Sequence, residues 1–313
     1  MRRFRVVEDS MRPTLVPGEE FVTTGSRSPL VGEVVALPHP GRDNFWLVKR
    51  LAAGPGDRVD GQGTMGEGQA WVVSDNHVAG VEDSASFGPV PMGSLEPRVE
   101  RLDESTFIES AHFLIGEEPA FRDVVDEFGV PTFWRRPAGF PTLVWLILEQ
   151  QVSLESGAAM YRRLHGLLGT INPERMSEVT EADLRGIGVT RQKAGYLMEL
   201  ARAVRSGELD LAGLAGQAPH EARQALLAIK GIGPWTADAY LLSALGLPDV
   251  FPVGDRALQV GAAEVLGMSS VPDEEELELL SAPWRPIRAA AARVIWHSYL
   301  MRRGRVEPAD PST

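Results

Sequence analysis

Two sets of residues in this 313-residue chain have types and spacings able to do chemistry. The first is Ile229-Lys230-Gly231-Ile232-Gly233-Pro234-Trp235-Thr236, followed by Asp255 in Phe251-Pro252-Val253-Gly254-Asp255. Glycines in a turn between two helical patterns expose backbone N–H groups, and N–H groups converging at a helix start bind a phosphate oxygen. A carboxylate at the entrance of the following helix could stabilise positive charge or position a water. Taken alone, Asp255 ahead of Ala257-Leu258-Gln259-Val260 reads as a helix N-cap. The second set pairs Ser10, in Ser10-Met11-Arg12-Pro13-Thr14-Leu15, with Lys49, at the end of Phe45-Trp46-Leu47-Val48-Lys49. A neutral amine can take a serine's proton if burial lowers the lysine pKa toward working pH. Singly, Ser10 reads as a turn residue and Lys49 as an edge-strand charge.

The surrounding patterns divide the chain. Short Val-rich runs such as Gly32-Glu33-Val34-Val35-Ala36-Leu37 alternate with Pro and Gly turns through the first hundred residues, which predicts a β-rich domain over 1–98. A charged stretch without apolar periodicity predicts a linker over 99–106. Helical periodicity then predicts an all-α domain over 107–303, ending in an amphipathic helix from Ala289 to Leu300, with a flexible tail over 304–313. The fold class expected is therefore two-domain α+β.

The hairpin and its aspartate resemble the signature of the helix-hairpin-helix DNA glycosylases, in the branch similar to 3-methyladenine glycosylase II. The resemblance extends to Leu148-Glu149-Gln150-Gln151-Val152-Ser153, Gly186-Ile187-Gly188-Val189-Thr190-Arg191-Gln192-Lys193-Ala194, Pro283-Trp284-Arg285-Pro286 and Ala292-Arg293-Val294-Ile295-Trp296-His297. It implies excision of alkylated bases from damaged double-stranded DNA, with Asp255 catalytic. It also implies DNA contacts from Gly231, Gly233, Lys230, Gln150, Gln151, Arg191 and Lys193, and a base pocket from Trp235, Tyr240 and Trp284, with Trp296 a further aromatic candidate. Bifunctional relatives carry a lyase lysine where this chain has Trp235, so the resemblance implies a monofunctional enzyme. No cofactor or metal is required, with room for a monovalent cation at the hairpin.

Ser10 and Lys49, with Ser74-Asp75-Asn76, Asp83-Ser84 and Phe87-Gly88-Pro89-Val90, resemble the signal peptidase family of Ser-Lys proteases. That resemblance implies Ser10 as nucleophile, Lys49 as general base and a peptide or protein substrate. The sequence departs from it at Glu8, where many members have a small or hydroxyl residue. It departs again at Val81, where many have a lysine-orienting serine, and at Ala85, where an arginine is common. An anchorless form of this kind is similar to the peptidases that mature nickel superoxide dismutase. Self-cleavage at Ala79-Gly80 is not expected.

Cysteine is absent, which excludes disulfides, a thiol nucleophile and an iron-sulfur cluster. No run approaches the ~20 apolar residues needed to span a bilayer, so a cytoplasmic monomer without a membrane partner is expected. The net charge of -12 argues against an extended basic footprint on nucleic acid, although Arg191, Lys193, Lys230, Arg256, Arg285, Arg288 and Arg293 gather around the hairpin elements. The alternatives are a soluble peptidase whose helical half is a DNA-binding module, or a glycosylase whose N-terminal domain is an inactive interaction surface.

Overall fold

The computed structural model describes residues 1–76 and 80–305. Ala79 and residues 306–313 of the expected tail lie outside them. The chain forms two compact units, 1–113 and 114–313, and the division falls inside a helix, Glu104–Glu117.

The first unit is built from strands β1 (Arg2–Arg5), β2 (Glu20–Thr23), β3 (Val34–Pro38), β4 (Trp46–Ala53), β5 (Arg58–Val59), β6 (Gly63–Thr64), β7 (Gln69–Val73), β8 (Val90–Pro91) and β9 (Glu96–Pro97). β1 pairs with β2, β5 with β6, and the rest form an antiparallel sheet in the order β8-β7-β4-β3-β9. Alternation along β3 sends Val35 and Leu37 into one apolar cluster with Leu47, Leu51 and Val72. Val34 and Ala36 enter a second cluster, which anchors the turn Asp9–Met11 through Met11 and Leu15. On β4 the buried register is Leu47, Lys49, Leu51 and Ala53, so Lys49 occupies a core position instead of the edge expected for a charged residue. Helix α1 (Ser84–Phe87) is capped by Asp83, which accepts Ala85 N–H at 3.0 Å.

The stretch read as a linker is tied to the sheet. Val99 N–H donates to Val22 O at 2.9 Å, Leu102 is buried, and α2 (Glu104–Glu117) already starts inside the range expected for the linker. Its charges mask this in the sequence, because they lie on the outer side of a segment held by its backbone.

The second unit continues with α3 (Pro119–Phe128), α4 (Phe140–Glu149), α5 (Leu154–Leu168), α6 (Pro173–Met176), α7 (Glu181–Gly186), α8 (Arg191–Arg205), α9 (Pro219–Leu227), α10 (Pro234–Ser243), α11 (Arg256–Val265), α12 (Glu274–Ser281) and α13 (Arg288–Met301). Helix α4 is apolar on all sides and packs against α5, α8 and α10. A helix buried on every face belongs in the middle of a bundle. Helices α11, α13 and α3 pack together beside it. Among the described residues, no helix is long and apolar enough to cross a membrane.

Candidate functional sites

Helices α9 and α10 are joined by 228–233, pinned by buried Ile229 and Ile232 and closed by Ile232 N–H to Ile229 O at 3.0 Å. Gly231 has φ +99°, and a Cβ there would collide with the Tyr196 ring, so only glycine fits. Gly233 is the N-cap of α10 and Pro234 its first residue, which leaves the first N–H groups of α10 directed out of the helix end. Lys230 and Gly233 are exposed. The turn therefore offers uncharged donors at a positive helix end, the geometry an anion requires.

Asp255 caps α11. Its Oδ1 accepts Leu258 N–H at 2.7 Å and Trp296 Nε1–H at 3.0 Å, while Oδ2 accepts Trp235 Nε1–H at 2.7 Å. The carboxylate is thus fixed by one helix end and two indoles from α10 and α13, and it remains half-exposed. Trp235 and Asp255, separate in sequence, are brought together by the indole hydrogen bond. Trp296 joins them as a carboxylate-holding residue. Trp134, which the sequence did not single out, meets the Trp296 ring edge-on at 6.3 Å and 81°. The guanidinium carbons of Arg136 and Arg293 each lie 5.0 Å from the Trp134 ring centroid.

Other candidates serve the scaffold. Tyr240 is fully buried, and its hydroxyl accepts Gly139 N–H at 2.8 Å. Burial raises its phenol pKa and removes its ring from any open pocket. Trp284 is 4% exposed and packs between Phe121 and Phe251, with centroids 4.9 and 5.8 Å away. Lys193 is buried, and Nζ donates to Leu148 O at 2.7 Å, closing the C-terminal end of α4 instead of facing solvent. Burial lowers its pKa. Arg191 is exposed and lies 3.3 Å from Glu181. Gln151 is exposed in the left-handed region at φ 57°, a position open to a partner.

Gln150 looks inward. Its Nε2 donates to Gly231 O and to Thr236 Oγ1, both at 2.9 Å, which braces the hairpin from the end of α4. Gln150→Leu should therefore lower stability by about 1–2 kcal/mol through two lost hydrogen bonds. Thermal unfolding together with the salt dependence of DNA binding checks this. An unchanged melting temperature with weaker binding would instead make Gln150 a DNA contact.

In the first unit, Lys49 is 2% exposed and Nζ donates to Ser74 Oγ at 2.9 Å. Desolvation lowers its pKa, against the opposing pull of Asp83, Glu8 and Glu82. Strand β4 packs against the turn carrying Ser10, which is half-exposed. Glu8 and Val81 make no hydrogen bond to Lys49.

A lysine whose folded pKa is depressed binds fewer protons folded than unfolded between the two pKa values. Stability therefore rises with pH across that window, and the penalty is full below the folded pKa. Lys49→Met should raise the melting temperature most at neutral pH, with the gap closing toward pH ~10.4, the unfolded lysine value. Melting curves of both proteins across that range would show it, and a gap independent of pH would contradict a lowered Lys49 pKa.

Residues 144–286 match the family described as HhH-GPD superfamily base excision DNA repair protein, and residues 1–65 match signal peptidase, peptidase S26. The chain is 30% identical over 172 residues to the DNA-3-methyladenine glycosylase of Bacillus subtilis (strain 168), covering 51% of this chain and 57% of that protein. A crystal structure of DNA-3-methyladenine glycosidase from Bacillus halodurans superposes with a TM-score of 0.53 at 29% identity, covering 63% of this chain and 91% of that one. Over 103 residues the chain is 35% identical to mitochondrial inner membrane protease subunit 1 of Schizosaccharomyces pombe, covering 29% of this chain and 65% of that protein. The chain thus spans little more than half the length of the first glycosylase relative.

Proposed function

We infer that the helical unit carries the HhH-GPD glycosylase fold, with a strand-rich unit preceding it in the chain. We propose that the helical unit is a monofunctional DNA glycosylase that removes alkylated bases of the 3-methyladenine type in base excision repair. The observation that carries this reading is the Asp255 carboxylate, held by Trp235, Trp296 and the start of α11 close to the exposed hairpin. Cleaving an N-glycosidic bond builds positive charge on the sugar. A carboxylate already oriented by three donors stabilises that charge without reorganising, and it can position or deprotonate the attacking water. An alkylated purine carries positive charge and leaves without a strong general acid. The flipped base is taken from duplex DNA most easily where damage has weakened stacking or pairing.

The N–H groups around Gly231 and Gly233 would hold the neighbouring phosphate, and exposed Lys230, Arg191 and Gln151 remain available to the backbone. Trp235 occupies the place where a lyase would need its lysine, and its indole N–H is committed to Asp255. No cofactor is needed for this scheme, and a monovalent cation at the hairpin is compatible with it. A pure DNA-binding module would need Asp255 only as the cap of α11, without two indole N–H groups turned onto the same carboxylate. The test is an alkylated duplex carrying one end label. The enzyme should leave the strand intact until alkali cleaves the abasic site, and borohydride should trap no covalent complex. Strand cutting without alkali, with trapping, would make it a lyase.

For the first unit, buried Lys49 favours a second activity, a Ser-Lys peptidase. Ser10 Oγ would add to the scissile carbonyl carbon as its proton passes to Lys49 Nζ. That proton would then go to the leaving amine nitrogen as the C–N bond breaks. Water would hydrolyse the ester to restore Ser10. Acylation by a serine-directed probe in the wild type but not in Ser10→Ala tests it.

A further inference from the structure

We infer that Ser74 is the positioning residue of Lys49, supplying from the end of β7 the hydroxyl that position 81 lacks. The inference deepens the peptidase reading of the first unit and rests on it for its catalytic meaning, though not for its geometry.

Lys49 points inward because β4 alternates, with Leu47 and Leu51 on the same face. Its amine is buried, and among the described residues its hydrogen-bond partner is Ser74 Oγ at 2.9 Å, itself 1% exposed. One neutral acceptor leaves a buried ammonium with unsatisfied N–H groups, whereas a neutral amine needs less. With one N–H tied to Ser74, rotation about the Cε–Nζ bond is restricted, and the lone pair of the neutral amine has a fixed direction.

Ser74 is itself held in place. Its N–H donates to Asp83 Oδ2 at 3.1 Å, and the neighbouring Ser84 Oγ accepts Val72 N–H at 2.9 Å. The next two residues extend the clip. Asp75 accepts Arg50 Nε–H at 2.6 Å and Arg50 Nη2–H at 2.5 Å, which fixes the residue after Lys49 on β4. Asp75 also accepts the Thr14 hydroxyl at 2.5 Å. Asn76 donates its N–H to Ser10 O and its Nδ2–H to Asp9 O, both at 3.0 Å. Three consecutive residues therefore grip the lysine, the strand that carries it and the turn that carries Ser10. Among the described residues no hydrogen bond engages the Ser10 hydroxyl, which leaves it available to a base. The charged groups facing the amine are Asp83, Glu8 and Glu82, and none of them takes the hydrogen bond that Ser74 makes.

The test uses the full chain and a serine-directed acylating probe, followed against pH for wild type, Ser74→Ala, Ser74→Thr and Ser10→Ala, with melting curves as a check on folding. The acylation rate of Ser10 should fall on the order of tenfold to a hundredfold in Ser74→Ala, the scale for a misplaced catalytic group. Ser74→Thr, which keeps the hydroxyl, should restore most of it. Equal rates in Ser74→Ala and wild type would overturn the inference while leaving the peptidase reading standing. If the wild type labels no more than Ser10→Ala, the peptidase reading fails. The titration of the Lys49 amine, followed by NMR on 13C-methylated lysines, then decides the inference on its own. A titration moved downward in Ser74→Ala supports it, and an unmoved one overturns it.

Discussion

Asp255→Asn should lower the single-turnover rate of base release by about 10²–10⁴-fold, the range for losing a positioned acid or base, while duplex binding changes little. The substitution is well matched to the site because asparagine is as good an N-cap as aspartate, so α11 keeps its cap. It is not silent in the folded state. All three groups facing Asp255 are donors: the indole N–H groups of Trp235 and Trp296 and the backbone N–H of Leu258. An asparagine amide presents one oxygen and one NH2, so an indole N–H must face another donor. The loss of that pairing should destabilise the unit by about 1–3 kcal/mol. Rates are therefore to be compared well below the melting temperature of the variant. A variant that stays folded, binds the duplex and releases base at the wild-type rate would remove Asp255 from the mechanism.

Gly231→Ala should be the most damaging single change at the hairpin. Its backbone sits at φ +99°, where a side chain costs about 1–2 kcal/mol. Its Cβ would also run into the ring of Tyr196, which adds about 1–3 kcal/mol for overpacking. Together these lower the stability of the helical unit by roughly 2–5 kcal/mol. The turn that aims its N–H groups would shift as well, so DNA affinity should fall at temperatures where the variant is still folded. Gly233→Ala supplies the contrast. Gly233 has φ -89° and open space where a Cβ would go, so that substitution should cost only about 0.5–1 kcal/mol, the loss of glycine's advantage over alanine at an N-cap. Equal melting temperatures for the two variants, by calorimetry, would contradict the account of the turn.

Much of the helical site was legible because its determinants are local. A glycine that must adopt positive φ, a proline opening a helix and an aspartate capping the next helix are all choices the chain makes within a few residues. The pairing of Trp296 with Asp255 was not legible in that way, since it is made by α13 packing against α11. The misplaced aromatics have a related cause. Helix α10 is buried from Thr236 to Ser243, so no amphipathic contrast separates a pocket-facing Tyr240 from a core one. Lys193 and Gln150 look like surface residues by type, yet each reaches inward to satisfy backbone at the ends of elements, Leu148 O and Gly231 O. Their polar atoms do structural work that composition cannot distinguish from phosphate binding.

In the strand-rich unit the opposite held. Lys49 reads as an edge charge by residue type, but the alternation Leu47, Lys49, Leu51 already places it on the buried face. The resemblance puts a lysine-orienting serine at position 81, where this chain has valine, and the hydroxyl that reaches the lysine comes from Ser74 through the pairing of β4 with β7. Strand pairing set that contact, and no local pattern announces it. The charged stretch 99–106 hides its attachment for a similar reason, because the backbone bond from Val99 to Val22 leaves no trace in its side chains.

The measurement that bears most directly on the central claim is mass-spectrometric identification of free bases released from methylated duplex DNA by the full chain, alongside Asp255→Asn and a no-enzyme control. Free methylated purines, 3-methyladenine foremost, should accumulate with the wild type at many times the spontaneous rate, and Asp255→Asn should stay near the control. Release at the spontaneous rate by folded wild-type protein, or equal release by both proteins, would contradict that claim.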